Sequence, residues 1–181
     1  MSVPTPDETI LGLLVIRARH GYELLDCFHS ARQLGRIWNL STSQLYNVLK
    51  RLERESLVVG HQIPSESGPP RVEYTLTEAG HARFRAWLYE PAPSPSIRRV
   101  RVEFLSRLFI ARELNLPIHA IIQYQRDACL RNRDRLLAEQ AQAAPGMSAL
   151  VIEFMLEQLD AALRWIARCE TSLQSETNTV Q

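Results

Sequence analysis

At 181 residues, with 45% hydrophobic and 23% charged side chains, the chain has room for one ordinary domain or two small ones and enough apolar content to bury a core. No run of about 18 uncharged apolar residues occurs, and MSVPTPDETI has neither a cationic nor an apolar leader segment, so no membrane span is expected and the cytoplasm is the expected compartment. A formal net charge of +1, with ten basic and ten acidic residues in 1–90 and eleven and ten in 91–181, excludes a uniformly cationic surface, so affinity for a polyanion must come from a local patch.

The first helix is predicted to open at Asp7 or Thr9 and to run to about Arg19 and His20, with Gly21 as the break. Its apolar residues lie nearly all round it, which predicts burial. GYELLDCFHSARQLGRIW follows with helical spacing of Tyr22, Leu24, Leu25 and Phe28 until Gly35 interrupts it. The Asn39-Leu40-Ser41 segment then supplies a turn and a hydroxyl cap for a third helix, STSQLYNVLKRLERE, with Ser41, Thr42 or Ser43 able to accept backbone N–H bonds. Each residue advances roughly 100°, so Leu45, Val48, Leu49 and Leu52 form one stripe and Ser43, Asn47, Lys50 and Arg54 the opposite one. An apolar back and a polar, cationic front suit docking onto something anionic.

LVVGHQI and RVEYTLTEAG, joined by PSESGPP, read as a hairpin, and Thr77 caps a fourth helix reaching Trp87 and Leu88. Helix followed by hairpin is the outline of a winged helix-turn-helix. The three prolines of YEPAPSPSI favour an extended connector. Three more helices follow, with breaks at Asn115-Leu116-Pro117 and Pro145-Gly146. The fold class is therefore mainly α: a winged helix-turn-helix domain over 1–90, a Pro-rich linker over 91–99, a long-helix dimerisation and effector domain over 100–174, and a disordered tail over 175–181.

The last two helices carry wide apolar faces, Ile121, Ile122, Tyr124, Leu130, Leu136 and Leu137 on one and Leu150, Ile152, Phe154, Met155, Leu159, Leu163 and Ile166 on the other. A hairpin of two helices cannot hide both, which points to a homodimer with Leu150, Phe154, Leu159, Leu163 and Ile166 at its seam. The alternative is that these helices fold back onto the first domain of their own chain.

Catalytic, metal and cofactor chemistry find no support. Cys27 and His29 stand two apart on a helix and point in different directions, and no HExxH, GxSxG or Gly-rich phosphate loop occurs. Cys27, Cys129 and Cys169 sit in helical patterns and read as reduced packing residues.

The succession ILGLLVIRARHGYELL, LSTSQLYNVLKRLERESLV, GPPRVEYTLTEAG, VRVEFLSRLFIA and a late RWIA resembles the PadR family of bacterial transcriptional regulators, in particular the branch with a long C-terminal helical domain. The resemblance covers nearly the whole chain. It implies a homodimeric winged-helix repressor on a palindromic DNA operator, released by a small effector, and it also suggests a phosphate contact for the hydroxyl of Tyr46, whose place on the flank between core and polar face is equally compatible with plain packing. One departure is visible: Ser56 stands where such proteins usually have glycine after the recognition helix, and if φ is positive there, serine costs on the order of 1 kcal/mol.

On that basis Ser43, Gln44 and Asn47 are the expected base readers, asparagine and glutamine being suited to adenine. Ser41 and Thr42 are expected on phosphates at the helix start, as are Lys50, Arg51 and Arg54 further along, with Arg71 of the wing at the minor groove or its phosphates, weighed against a solvated arginine at a hairpin. An effector pocket lined by Phe104, Tyr124 and Trp165, with Phe109 and Phe154 nearby, is weighed against ordinary packing of those aromatics. A competing function is a winged-helix protein-interaction module that never touches DNA; the front of the third helix, free of large apolar anchors, argues for DNA.

Overall fold

The computed structural model describes residues 4–64 and 71–177, with side chains as far as residue 170. It resolves into two compact units, Met1–Tyr89 with Leu105–Leu116, and Glu90–Phe104 with Pro117–Gln181.

In the first unit, α1 (Asp7–Ile16) is the central helix, with Ile10, Leu11, Leu13 and Leu14 buried as its all-round apolar pattern requires. It ends earlier than expected. Arg17 adopts an extended conformation, and Arg19–His20 form a two-residue strand, β1. Then come α2 (Gly21–His29), α3 (Thr42–Arg54), β2 (Val58–Ile63), β3 (Arg71–Leu76) and α4 (Glu78–Leu88). The sheet is antiparallel in the order β1-β3-β2, with Arg19 opposite Tyr74 and Gly60 opposite Tyr74 on the other side. Most of the segment expected to join the hairpin, residues 65–70, lies outside the described residues.

α2 is shorter than its apolar spacing suggests, because Ser30 is extended and the chain turns, with Gly35 N–H donating to the Ser30 carbonyl at 2.9 Å. α3 begins and ends on identifiable devices. Ser41 Oγ accepts from Gln44 N–H while Gln44 Oε1 accepts from Ser41 N–H at 2.9 Å, a reciprocal capping box. At the other end Leu57 N–H reaches the Leu52 carbonyl and Ser56 N–H the Glu53 carbonyl, both at 2.9 Å. These two bonds define a Schellman motif, and they place Ser56 at φ 57, the left-handed position where a glycine was missed in the sequence. α4 packs its first turn directly on this corner: a Cβ on Gly80 would sit 2.1 Å from the Leu57 carbonyl oxygen. Thr77 Oγ1 caps α4 by accepting from Gly80 N–H, and itself donates to the Ser56 carbonyl at 2.7 Å.

The helix read over RRVRVEFLSRLFIARELN is divided into α5 (Ile97–Arg99), a π-helical turn over Val100–Phe104, and α6 (Leu105–Glu113). α6 clusters with the first unit and not with the C-terminal helices. Ile110 packs where a Cβ on Gly12 of α1 would lie, 2.9 Å away; the Ser106 hydroxyl accepts from Trp38 Nε1 at 2.9 Å; and the buried Arg107 lies over the Trp87 ring at 5.2 Å.

The second unit contains α7 (His119–Gln140) and α8 (Met147–Thr177). They run antiparallel, joined by a turn in which Gly146 has φ 145. Arg133 pairs with Asp160 at 2.6 Å, and Glu170 faces Arg126 at 3.6 Å. Ile121, Ile122, Ala128, Cys129 and Leu136 of α7 and Ile152, Leu156, Leu159 and Ile166 of α8 form the core. The proline-rich segment is packed here and is no free linker: Pro93 is buried, and the buried Gln125 donates from Nε2 to the Ser94 carbonyl at 3.1 Å. Ser175, Glu176 and Thr177, expected in a disordered tail, are the last residues of α8; residues 178–181 lie outside the described residues.

Candidate nucleic-acid interface

α3 buries Leu45, Val48, Leu49 and Leu52 and exposes Ser43, Asn47, Lys50 and Arg54, which is the division its 3.6-residue period predicts. Among the described residues, the side chains of Thr42, Asn47, Lys50 and Arg54 have no hydrogen-bond or ion-pair partner. Ser41 and Ser43 hydroxyls lie 3.2 Å apart, so the first turn carries linked hydroxyls around the cap.

Two expected contacts are differently employed. Arg51 does not lie on the free front. Its Nε and Nη2 hold Asp7 in a bidentate pair, with bonds of 2.9 and 2.7 Å to Oδ1 and 2.6 Å to Oδ2. Asp7 is buried at the start of α1 and needs this partner, which removes Arg51 from the phosphate-gripping set. Gln44 is exposed, but its amide oxygen belongs to the capping box.

Tyr46 is 40% exposed, with its ring against the first residue of α2. A Cβ on Gly21 would lie 2.8 Å from Tyr46 Oη and Cε1, so only glycine lets the ring approach there. Tyr74, beneath, is buried beside Glu53 and Tyr46, and burial first, then the Glu53 charge, pushes its hydroxyl above the ordinary pKa.

Sequence reasoning missed the surroundings of Arg71. Its guanidinium lies 5.5 Å from the Tyr22 ring centroid and donates from Nη1 to the Tyr22 hydroxyl at 3.4 Å, while His20 stacks on the other part of this cluster, 5.6 Å from Tyr22. His20 Nδ1 also sits 3.1 Å from the Val72 carbonyl, so the wing strand is tied to the start of α2. The only hint in the sequence is the exposed aromatic in His20-Gly21-Tyr22 at a helix start. Glu23 completes the corner: it accepts from the His20 backbone N–H at 2.8 Å and pairs with Arg17 at 2.9 Å. That backbone bond, opposed by burial and aided by Arg17, holds its carboxyl below the ordinary range.

Residues 10–86 match the family model described as Transcriptional regulator PadR-like family. This segment is a PadR-like domain. A relative, the Negative transcriptional regulator PadR of Bacillus subtilis (strain 168), is 30% identical over 100 residues, 55% of this chain and 53% of that protein. The Probable transcriptional regulator Rv1176c of Mycobacterium tuberculosis (strain ATCC 25618 / H37Rv) is 29% identical over 82 residues, 45% of this chain and 42% of that protein. The chain thus spans about half the length of the curated relatives it matches. Among solved structures, Bacillus subtilis PadR in complex with operator DNA aligns at TM-score 0.46 and 23% identity over 90% of this chain and 94% of that chain. The same regulator in complex with p-coumaric acid aligns at TM-score 0.43 and 23% identity over 93% of this chain and 96% of that chain. Within this segment, α3 followed by the β2–β3 hairpin has the helix-then-hairpin order of a winged helix-turn-helix.

The residues assigned to a dimer seam separate into two groups. Leu159 and Ile166 are buried within the second unit and Leu163 is half-buried, so they are core; the covered side of α8 and its free side share one helical spacing, which is why the sequence merged them. Leu150 and Phe154 are 60% and 62% exposed, and with Met147, Val151 and Met155 they form an apolar stripe along the first turns of α8. Phe104 and Trp165 meet edge to face at 6.0 Å, with Phe104 wholly buried, so this pair is packing; Tyr124 is half-buried. Two clefts of about 290 and 270 Å³ flank the proline-rich segment, lined by Ala128, Arg131, Asn132 and Arg135 and by Arg98, Leu136, Met155 and Leu159; neither involves Phe104, Tyr124 or Trp165.

Cys27 and His29 are employed separately, the His29 ring on the Leu40 carbonyl and the Cys27 thiol pushed up by burial. Among the described residues no group of three or more His, Cys, Asp or Glu side chains is arranged to hold a metal ion, and no helix is long and apolar enough to cross a membrane.

Proposed function

We propose that the chain is a transcriptional regulator that inserts α3 into the major groove of double-stranded DNA, acting as a homodimeric repressor on a palindromic operator and released by a small effector. The observation that carries the DNA reading is the exposed line Ser43, Asn47, Lys50 and Arg54, of which Asn47, Lys50 and Arg54 have no partner among the described residues, on a helix that exposes no aliphatic anchor and Tyr46 as its one aromatic ring. The name of the Bacillus subtilis relative, a negative regulator, supports repression. The stripe Met147, Leu150, Val151, Phe154 and Met155 supports a second copy of the chain as partner, since a two-fold protein matches half-sites about 34–36 Å apart. The clefts beside the proline-rich segment would offer an effector room.

In this reading Asn47 reads a base edge, Lys50 and Arg54 meet phosphates, and Thr42 and the Ser41–Ser43 hydroxyls approach the backbone at the helix start. Tyr46 offers its hydroxyl to a phosphate while its ring stays on Gly21. Arg71, held over Tyr22, directs the wing's charge at the minor groove or its phosphates. The test is a salt titration of binding to the intergenic DNA beside the gene and to random duplex. Asn47→Ala should weaken the cognate duplex selectively, by about 1–3 kcal/mol at one position, whereas Arg54→Ala should weaken both alike and lower the log-log salt slope by about one. A flat slope for the intact protein would instead favour a winged-helix protein-interaction module.

A further inference from the structure

We infer that Gln44 is a donor-only reader that selects guanine in the operator, and not the adenine that a free glutamine amide favours. The inference rests on α3 entering the major groove. The orientation of a glutamine amide is ordinarily ambiguous, but here chemistry fixes it. The atom facing Gln44 at 2.9 Å is the backbone N–H of Ser41, which can only donate, so the amide must present its oxygen there. The same two residues bond a second time, Gln44 N–H to Ser41 Oγ at 3.3 Å, which holds both partners in register.

With Oε1 turned to the helix start, Nε2 is what the exposed end of Gln44 offers, and among the described residues it has no partner. Bidentate readout of adenine needs the amide to donate to N7 and accept from the N6 amino group together. That draws on the oxygen already engaged by Ser41 N–H, so adenine must share it through its second lone pair or strand a backbone donor at the first turn of the recognition helix, whereas guanine asks Gln44 for no acceptor. A donor alone finds its best target in guanine, whose O6 and N7 are adjacent acceptors; thymine offers O4 only, adenine offers N7 only, beside an amino group that opposes a second donor bond, and cytosine presents a donor outright. The box that starts the helix thereby also sets the base it prefers.

The experiment is selection of bound duplexes from a library of randomised sites, using the full chain and its Gln44→Glu, Gln44→Ala and Asn47→Ala variants, with base preference scored within each variant. Scoring within a variant removes the general loss of affinity that a new carboxylate near phosphates brings. Gln44→Glu keeps an oxygen for Ser41 N–H and exchanges the outward donors for an acceptor, so the helix start is retained. The intact protein should prefer guanine about tenfold over adenine at one position per half-site. Gln44→Ala should erase that preference, Gln44→Glu should move it to cytosine, and Asn47→Ala should alter a different position. Any base other than guanine at the position that the Gln44 variants change overturns the inference, as does an enriched sequence that both Gln44 variants leave unaltered. Absence of any enriched sequence overturns the DNA reading itself, and this inference with it.

Discussion

Replacing Arg51 with methionine strands Asp7, whose side chain is 3% exposed, without its cation, while replacing Asp7 with asparagine leaves an arginine that is already 35% exposed and can turn to water. The two substitutions break the same bidentate contact and should differ in cost. Removing one partner of a buried pair costs about 3–5 kcal/mol when the remaining charge cannot be rehydrated. Arg51→Met, which retains much of the aliphatic volume, should fall near the lower end, about 3 kcal/mol. Asp7→Asn keeps an oxygen for the guanidinium and forfeits the charge and its favourable place in the first turn of α1, so about 1–2 kcal/mol is expected. Combined, the two should cost less than their sum, because an amide is cheaper than a carboxylate to leave buried without a cation. Urea unfolding followed by circular dichroism gives each value from the midpoint and slope. At temperatures where it stays folded, Arg51→Met should keep the salt slope of DNA binding that Arg54→Ala reduces. Arg51→Met costing no more than Asp7→Asn, or lowering the salt slope by about one, would refute the assignment of Arg51 to the fold.

Ser56→Gly should raise stability by about 1 kcal/mol, read as a higher urea midpoint at unchanged slope, because φ 57 strains a side chain there; no gain would mean that the strain is absent. Glu23, held below its ordinary value of 4.5, contributes stability that is present above that value and lost as pH falls through its lower folded value. The stability gap between the intact chain and Glu23→Gln should therefore be full at pH 6 and close on acidification, and a gap constant down to pH 3 would contradict the pairing. Phe154→Glu, on a side chain 62% exposed, should leave the unfolding midpoint of a dilute sample nearly unchanged yet yield monomer in light scattering at micromolar concentration. A persistent dimer would remove the α8 stripe from the interface.

What could be read from the sequence was local. The back and front of α3, its Ser41 cap, the Thr77 cap of α4 and the positive φ at Ser56 depend on neighbours within a few residues, and each is found in place. β1 could not be read, because two residues carry no period and Arg19 and His20 become a strand only by pairing with Tyr74 and Glu73. Arg51 could not be separated from Lys50 and Arg54, since its partner Asp7 lies 44 positions away. The apolar spacing of α8 marked Leu150 and Leu159 alike, and only the packing against α7 shows that one is covered and the other is not. Likewise the prolines marked where the helical pattern stops, whereas the attachment of that segment through Gln125 was not legible.

The same long-range pairing explains how a neutral domain can present a cationic front. Five of its acids are taken up by arginines outside the free front of α3: Asp7 by Arg51, Glu8 and Glu55 by Arg83, Glu23 by Arg17, and Glu78 by Arg85. Glu53, on α3 itself, accepts the Gly60 N–H at 3.2 Å and so is drawn toward the wing. Lys50 and Arg54 are left without a carboxylate, and Arg71 rests on an aromatic ring that leaves its charge in place. Within the ~8–10 Å over which charges are felt at ordinary ionic strength, a docked phosphate would respond to these local cations more than to the domain's total. Reversing one distant acid, as in Glu78→Arg, would raise the net charge by two without adding to that face, so it should change DNA affinity less than the loss of Arg54 alone.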